Sequence, residues 1–173
     1  GTIVSVVNDM QWNNNDRFRI LEINSTDGSV TQVSNDDNSG YPFRSVYGVT
    51  LDNNDNIYVA GRYYEAWESS NSPEKSKVRK YNSNYTIDWQ FDIDGSNQDI
   101  LYDIAYDNIN DLIYVTGKSL GANLNPLGEA YIGNYSDDQG DFFASYNTEG
   151  ILQSAHIFAN SSQNKASNVS LNL

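Results

Sequence analysis

Between Ile87 and Ile93 the apolar residues fall on every second position, Ile87, Trp89, Phe91 and Ile93, with Asp88, Gln90 and Asp92 between them. Side chains along a strand point alternately to its two faces, so this pattern predicts a half-buried β-strand. Other short β-branched and aromatic runs recur along the chain, separated by turns rich in Asn, Asp and Gly. No segment carries a convincing helical period, and the expected fold is all-β, with neighbouring strands antiparallel.

The runs repeat. "SVYGVTLDNNDNIYVAG" (Ser45–Gly61) lies over "ILYDIAYDNINDLIYVTG" (Ile100–Gly117), matching Tyr47 to Tyr102, Val49 to Ile104, Leu51 to Tyr106 and Asp52 to Asp107. After one inserted residue Tyr58 matches Tyr114, Val59 matches Val115 and Gly61 matches Gly117. Each copy is two runs joined by an Asn/Asp turn, which is a hairpin signal. A second pair of runs follows each hairpin: "VRKYNSNYTIDWQFDI" (Val78–Ile93) aligns with "FASYNTEGILQSAHIF" (Phe143–Phe158), pairing Tyr81 with Tyr146 and Asn82 with Asn147. A third copy is Ile20–Val33, whose Asp27-Gly28 turn corresponds to Glu149-Gly150. Four strands in about 55–65 residues is the blade of a β-propeller.

With the strands of a blade lettered a to d from the axis outward, strand a is Gly48–Leu51 and Ile104–Tyr106, and strand b is Ile57–Ala60 and Ile113–Thr116. "NVSLNL" (Asn168–Leu173) reads as a further strand a, and "TIVSVV" (Thr2–Val7) as a strand b with no strand a before it. The expected order is b-c-d, a-b-c-d, a-b-c-d, a. The repeat units run approximately over 1–42, 43–97 and 98–160, with 161–173 starting the next, all within one module spanning 1–173. About three blades are too few to close a ring, since propellers have four to eight. Two arrangements stay open: a segment of a longer blade array, or a last strand that completes the first blade of a neighbouring copy. In the second, Val169, Leu171 and Leu173 would pair with Thr2, Ile3, Val4 and Val6 of the next copy by strand addition. Such a head-to-tail contact makes a ring if its rotation closes and a filament if it does not.

The pattern Tyr-x-(Val/Ile)-x-(Leu/Tyr)-Asp, then (Asn/Leu)-Ile-Tyr-Val-x-Gly, then a strand ending Tyr-Asn-x-x-Gly, resembles the SBBP-type β-propeller repeat of secreted and surface proteins. The resemblance covers essentially the whole chain. It implies the propeller fold and exposure outside the cell, and it implies no shared catalytic residues.

Composition narrows the function classes. The 173 residues include 24 Asn, 17 Asp and 27 Ser plus Thr, against 10 Lys plus Arg, for a net charge of −13. A nucleic-acid or anionic-membrane binder needs a basic stripe, and the densest basic stretch is "KSKVRK" (Lys75–Lys80), so neither partner is expected. No apolar run reaches a membrane-spanning length, and "GTIVSVVND" lacks the features of a signal peptide. There is no cysteine, so disulfide and thiol chemistry are excluded.

The long b–c connections, roughly 8–16, 62–76 and 118–140, carry Trp12, Tyr63, Tyr64, Trp67, Tyr131 and Tyr135 among amides and acids. Aromatics beside amide groups can stack on sugar rings, which makes this face a candidate glycan-binding surface; the plainer reading is that the rings pin the loops down. Asp137, Asp138 and Asp141 form the better candidate calcium cluster and "DNNDN" (Asp52–Asn56) a second, though neither fits the twelve-residue calcium loop. Asn and Asp in such turns mostly bond their own backbone. No other cofactor is expected. N-glycosylation acceptor patterns occur at Asn24, Asn84, Asn134, Asn160 and Asn168, a number that chance alone nearly supplies in a chain this rich in Asn, Ser and Thr. The single histidine, His156, aligns with Phe91 in an outer strand, a structural position. No nucleophile–base set, zinc-ligand spacing or phosphate loop is present. The expected function is therefore a non-enzymatic, extracellular structural or adhesive module partnered by copies of itself or further blades, with carbohydrate binding as the alternative.

Overall fold

The computed structural model describes residues 2–9, 17–35, 43, 45–64, 74–93, 100–120 and 139–159. Every regular element among them is a strand: β1 (Thr2–Asp9), β2 (Arg17–Asn24), β3 (Val30–Asn35), β4 (Ser45–Leu51), β5 (Ile57–Tyr64), β6 (Glu74–Tyr81), β7 (Ile87–Ile93), β8 (Ile100–Asp107), β9 (Leu112–Leu120), β10 (Gln139–Asn147) and β11 (Leu152–Ala159). They form three separate antiparallel sheets, β1-β2-β3, β4-β5-β6-β7 and β8-β9-β10-β11, in which each strand pairs with its neighbour in sequence. The expected all-β class and the grouping of strands into three, four and four are both observed.

The internal repeat is visible in the register. β4 and β8 each slip past their partner at the matching place, between Val46 and Gly48 and between Leu101 and Asp103. The β6–β7 and β10–β11 pairs slip at Lys80/Tyr81 and Ser145/Tyr146. Equivalent side chains therefore face the same way in both four-stranded sheets.

The second sheet lies between the other two, and both of its faces are covered. One face brings Tyr58, Ala60, Val78, Phe91 and Ile93 against Leu101, Ile104, Ile113, Val115, Phe142, Ala144 and Tyr146 of the third sheet. The other brings Ile57, Val59 and Tyr81 against Phe18 and Ile20 of the first, with Phe43 between and Val4, Val6, Val49 and Leu51 around the margin. Alternation along each strand supplies both faces. Polar groups fix the stacking: Leu101 N–H donates to Ser76 Oγ at 3.0 Å, Tyr106 N–H to Thr50 Oγ1 at 3.2 Å, and Trp89 Nε1–H to the Thr148 carbonyl at 3.0 Å. Across the first interface the Tyr85 hydroxyl donates to the Glu22 carboxylate.

The strands run further than the sequence pattern suggests. β5 and β6 stay paired out to Tyr64 and Glu74, and β9 and β10 out to Leu120 and Gln139. Tyr63 and Tyr64 therefore belong to a strand and not to a connection, and Asp141 sits inside β10 opposite Lys118. A paired backbone gains hydrogen bonds whatever the local polarity, and Arg62-Tyr63-Tyr64 is rich in strand-forming aromatics.

Candidate functional site

The turns explain much of the repeated sequence. In the β4–β5 turn the Asp52 carboxylate accepts from the backbone N–H groups of Asn54 and Asn56 at 2.8 and 2.9 Å. It also accepts from Asn56 Nδ2 at 2.8 Å and from the buried Tyr58 hydroxyl at 2.9 Å. Burial pushes the Asp52 carboxyl up, but these donors outweigh it and hold it below the usual aspartate range. Asp107 repeats the arrangement: bonds from the Asn110 amide and from the backbone N–H of Ile109 and Asn110 hold its carboxyl low. The poorer of the two candidate calcium stretches, Asp52–Asn56, is thus committed to its own turn. In the outer turns Asn82 Oδ1 accepts from Thr86 N–H at 3.0 Å and Asn147 Oδ1 from Ile151 N–H at 2.8 Å, which accounts for the Tyr-Asn of the repeat.

Asp52→Ala would remove four accepted hydrogen bonds and strand a buried phenol. The expected cost is about 2–3 kcal/mol, read from chemical denaturation. Acid acts through the same group. A carboxyl held low in the folded state contributes stability that is present above the usual aspartate value and is lost as pH falls through the lower folded value. The thermal midpoint is therefore expected to fall steeply on acidification below the ordinary aspartate range, and less steeply in Asp52→Asn.

Of the candidate glycan-stacking rings, Tyr63 is described with its side chain, and it is buried: the Lys77 ammonium lies 4.1 Å from its ring centre. That ring anchors β5 and is not available for stacking on a ligand. Tyr64 lies in β5, and Trp12, Trp67, Tyr131 and Tyr135 fall outside the described residues. Asp141 is buried within β10, whereas Asp137 and Asp138 fall outside the described residues; among those that are described no cluster of acids and histidines is arranged to hold a metal ion. Asn24 and Asn84 are exposed at the outer turns, while Asn134, Asn160 and Asn168 fall outside. His156 is exposed on β11.

Sequence reasoning missed a buried basic pair. Lys77 and Arg79, two apart on β6, point to the same face and are fully buried beside the first sheet. Arg79 donates through Nε to Gln90 at 2.9 Å and through Nη1 to the Tyr81 hydroxyl at 3.1 Å, and its guanidinium lies 5.0 Å from the centre of the Phe43 ring. The aromatic faces of Phe43, Tyr63 and Tyr81 thus stand where an apolar core would be expected, and attract the cations through their π-systems. The signal was the alternation of Lys75, Lys77 and Arg79, read along a strand rather than as a run of charge.

The candidate assembly residues fall into two groups. Val4 and Val6 point inward and pack on the second sheet. Ile3 points the other way and is 54% exposed. Thr2 begins β1, and Val169, Leu171 and Leu173 fall outside the described residues. Among the described residues β1 forms the margin of its sheet, paired only with β2. No protein-family model matches this chain, and a search of the curated proteins finds no match.

Proposed function

We propose that this chain is a non-enzymatic structural module of the β-propeller type, working outside the cell, whose sheets serve as blades and which joins further copies of itself head to tail. The observation that carries the reading is the first sheet, which among the described residues has three strands where the others have four. By the register of the repeat, β1 is the counterpart of β5 and β9. Its outer edge therefore lies where β4 and β8 stand in the other two sheets. An open strand edge presents a row of backbone donors and acceptors that another strand can satisfy. Asn168–Leu173 carries the alternation of a strand a and is the donor in this mechanism, pairing with Thr2–Val7 of the next copy. The resemblance of the repeat to secreted and surface propellers, together with the net charge of −13, supports a place outside the cell.

Deleting residues 168–173 is expected to abolish self-association while leaving the strand signal in circular dichroism unchanged. A deletion variant that associates as well as the full chain contradicts strand donation.

A further inference from the structure

Two of the Asn-x-Ser/Thr patterns lie among the described residues, Asn24-Ser25-Thr26 and Asn84-Tyr85-Thr86. The structure gives both the same local geometry. Asn24 Oδ1 accepts from the Thr26 N–H at 2.8 Å. Asn84 Oδ1 accepts from the Thr86 N–H at 3.1 Å and from the Thr86 hydroxyl at 2.8 Å. Thr86 also donates through both groups to Asn82 Oδ1, at 3.0 and 2.9 Å, which fixes it in the turn. In each pattern the amide oxygen is thus engaged by the residue two places on, the Asx-turn that a short polar side chain makes with its own backbone. Asn24, Thr26, Asn84 and Thr86 are all exposed.

The place in the fold suits a bulky addition. Asn24 pairs with Thr2, Tyr81 with Ile57 and Asn147 with Leu112, so the short turns of all three sheets lie at one end of their strands. The longer connections join the other end, beyond the pairs Asp9–Arg17, Tyr64–Glu74 and Leu120–Gln139. The Tyr85 hydroxyl, donating to Glu22, ties the second acceptor turn to β2, which ends at Asn24. The third sheet supplies a contrast. There Asn147 Oδ1 accepts from the Glu149 N–H at 3.2 Å, the same turn, but Asn147 is half-buried and the residue two places on carries no hydroxyl.

We infer that Asn24 and Asn84 are N-glycan acceptors, whose sugars stand at the short-turn end of the first and second sheets. The donor is a lipid-linked saccharide diphosphate, used by a transferase of the secretory route. Asn Nδ2 forms a bond to the anomeric carbon, and the bond from that carbon to the diphosphate breaks, the diphosphate leaving with the electron pair. Nδ2 gives up one proton to a base of the transferase. As it does so negative charge gathers on Oδ1, where the donors of Thr26 and Thr86 already stand. The inference goes beyond the assembly proposed above and rests on it only for a place outside the cell.

The test sends the full chain, behind a secretory leader, through a cell line that glycosylates a reporter sequon. Mass spectrometry after enzymatic release of N-glycans in heavy-oxygen water marks each occupied Asn. Glycans are expected at Asn24 and Asn84. Asn24→Gln and Asn84→Gln should each remove one, and so should Thr26→Val and Thr86→Val, whereas Thr26→Ser should keep it. Thermal midpoints check that the exposed substitutions leave the fold intact. A secreted chain bare at either position, with the reporter glycosylated, overturns the inference, and so does a glycan at Asn84 that survives Thr86→Val. Sedimentation of the same material separates this result from the assembly reading. Sugars at both positions on a chain that stays monomeric uphold the acceptors and reject self-association; an associating chain bare at both does the reverse.

Discussion

Gly117→Ala is expected to destabilise the protein by about 3 kcal/mol, and Gly61→Ala by a similar amount. In an ordinary strand the sign would be opposite, because replacing Gly by Ala removes backbone freedom from the unfolded chain and stabilises by about 0.5–1 kcal/mol. Here there is no room. A Cβ at Gly117 would stand 2.3 Å from the Ile100 carbonyl oxygen and 2.7 Å from the Phe142 ring. One at Gly61 would stand 2.3 Å from the Ser45 oxygen and 2.8 Å from the Phe43 ring. Both oxygens belong to backbone beside the slipped register of β4 and β8, so they cannot swing aside as a flexible side chain would. The same obstacle at both copies is the physical reason the repeat ends in glycine. Chemical denaturation of each variant checks it. Gly28→Ala is a control of another kind, with open space around the added carbon but a φ of +71°, and should cost about 1–2 kcal/mol.

Phe91→Ala is expected to cost about 4 kcal/mol, the largest loss from a single truncation in this account. The ring is buried at the interface of the second and third sheets, where it meets Trp89 and Tyr146. Its loss opens a cavity between two sheets that share no backbone pairing, so side-chain contact is what holds them together there. His156→Ala, at the matching position of the third sheet, should change the stability of the monomer by about 0.5 kcal/mol or less, because that side chain is exposed. Equal effects at the two positions would contradict the burial of Phe91 and the exposure of His156.

The strands and their pairing partners were legible because period two and turn residues are local signals. Ile87 to Ile93 reads as a strand from its own residues, and the match of Ser45–Gly61 to Ile100–Gly117 places each hairpin. The ends of β5, β6, β9 and β10 were not legible, since ladder hydrogen bonds carry Tyr63, Tyr64 and Gln139 beyond the point where alternation stops. Nor were the buried cations: Lys77 and Arg79 look like solvated charge until the pairing of β5 with β6 sets Tyr63 and Tyr81 on the same face and Phe43 packs against it. Alternation tells which residues share a face. It does not tell what covers that face, and so Tyr63 stayed a candidate binding platform beside the plainer reading as an anchor. The turn carboxylates Asp52 and Asp107 were legible as turn residues, but Asp52 was not legible as the acceptor for a buried hydroxyl, because Tyr58 reaches it only after the hairpin closes.

The most direct test of the account is the mass of the native particle, measured by light scattering over a wide concentration range and joined to electron microscopy. The account predicts particles that are multiples of 19.4 kDa, seen as closed rings or as filaments. A particle of 19.4 kDa at every concentration, well folded and unassociated, would contradict it.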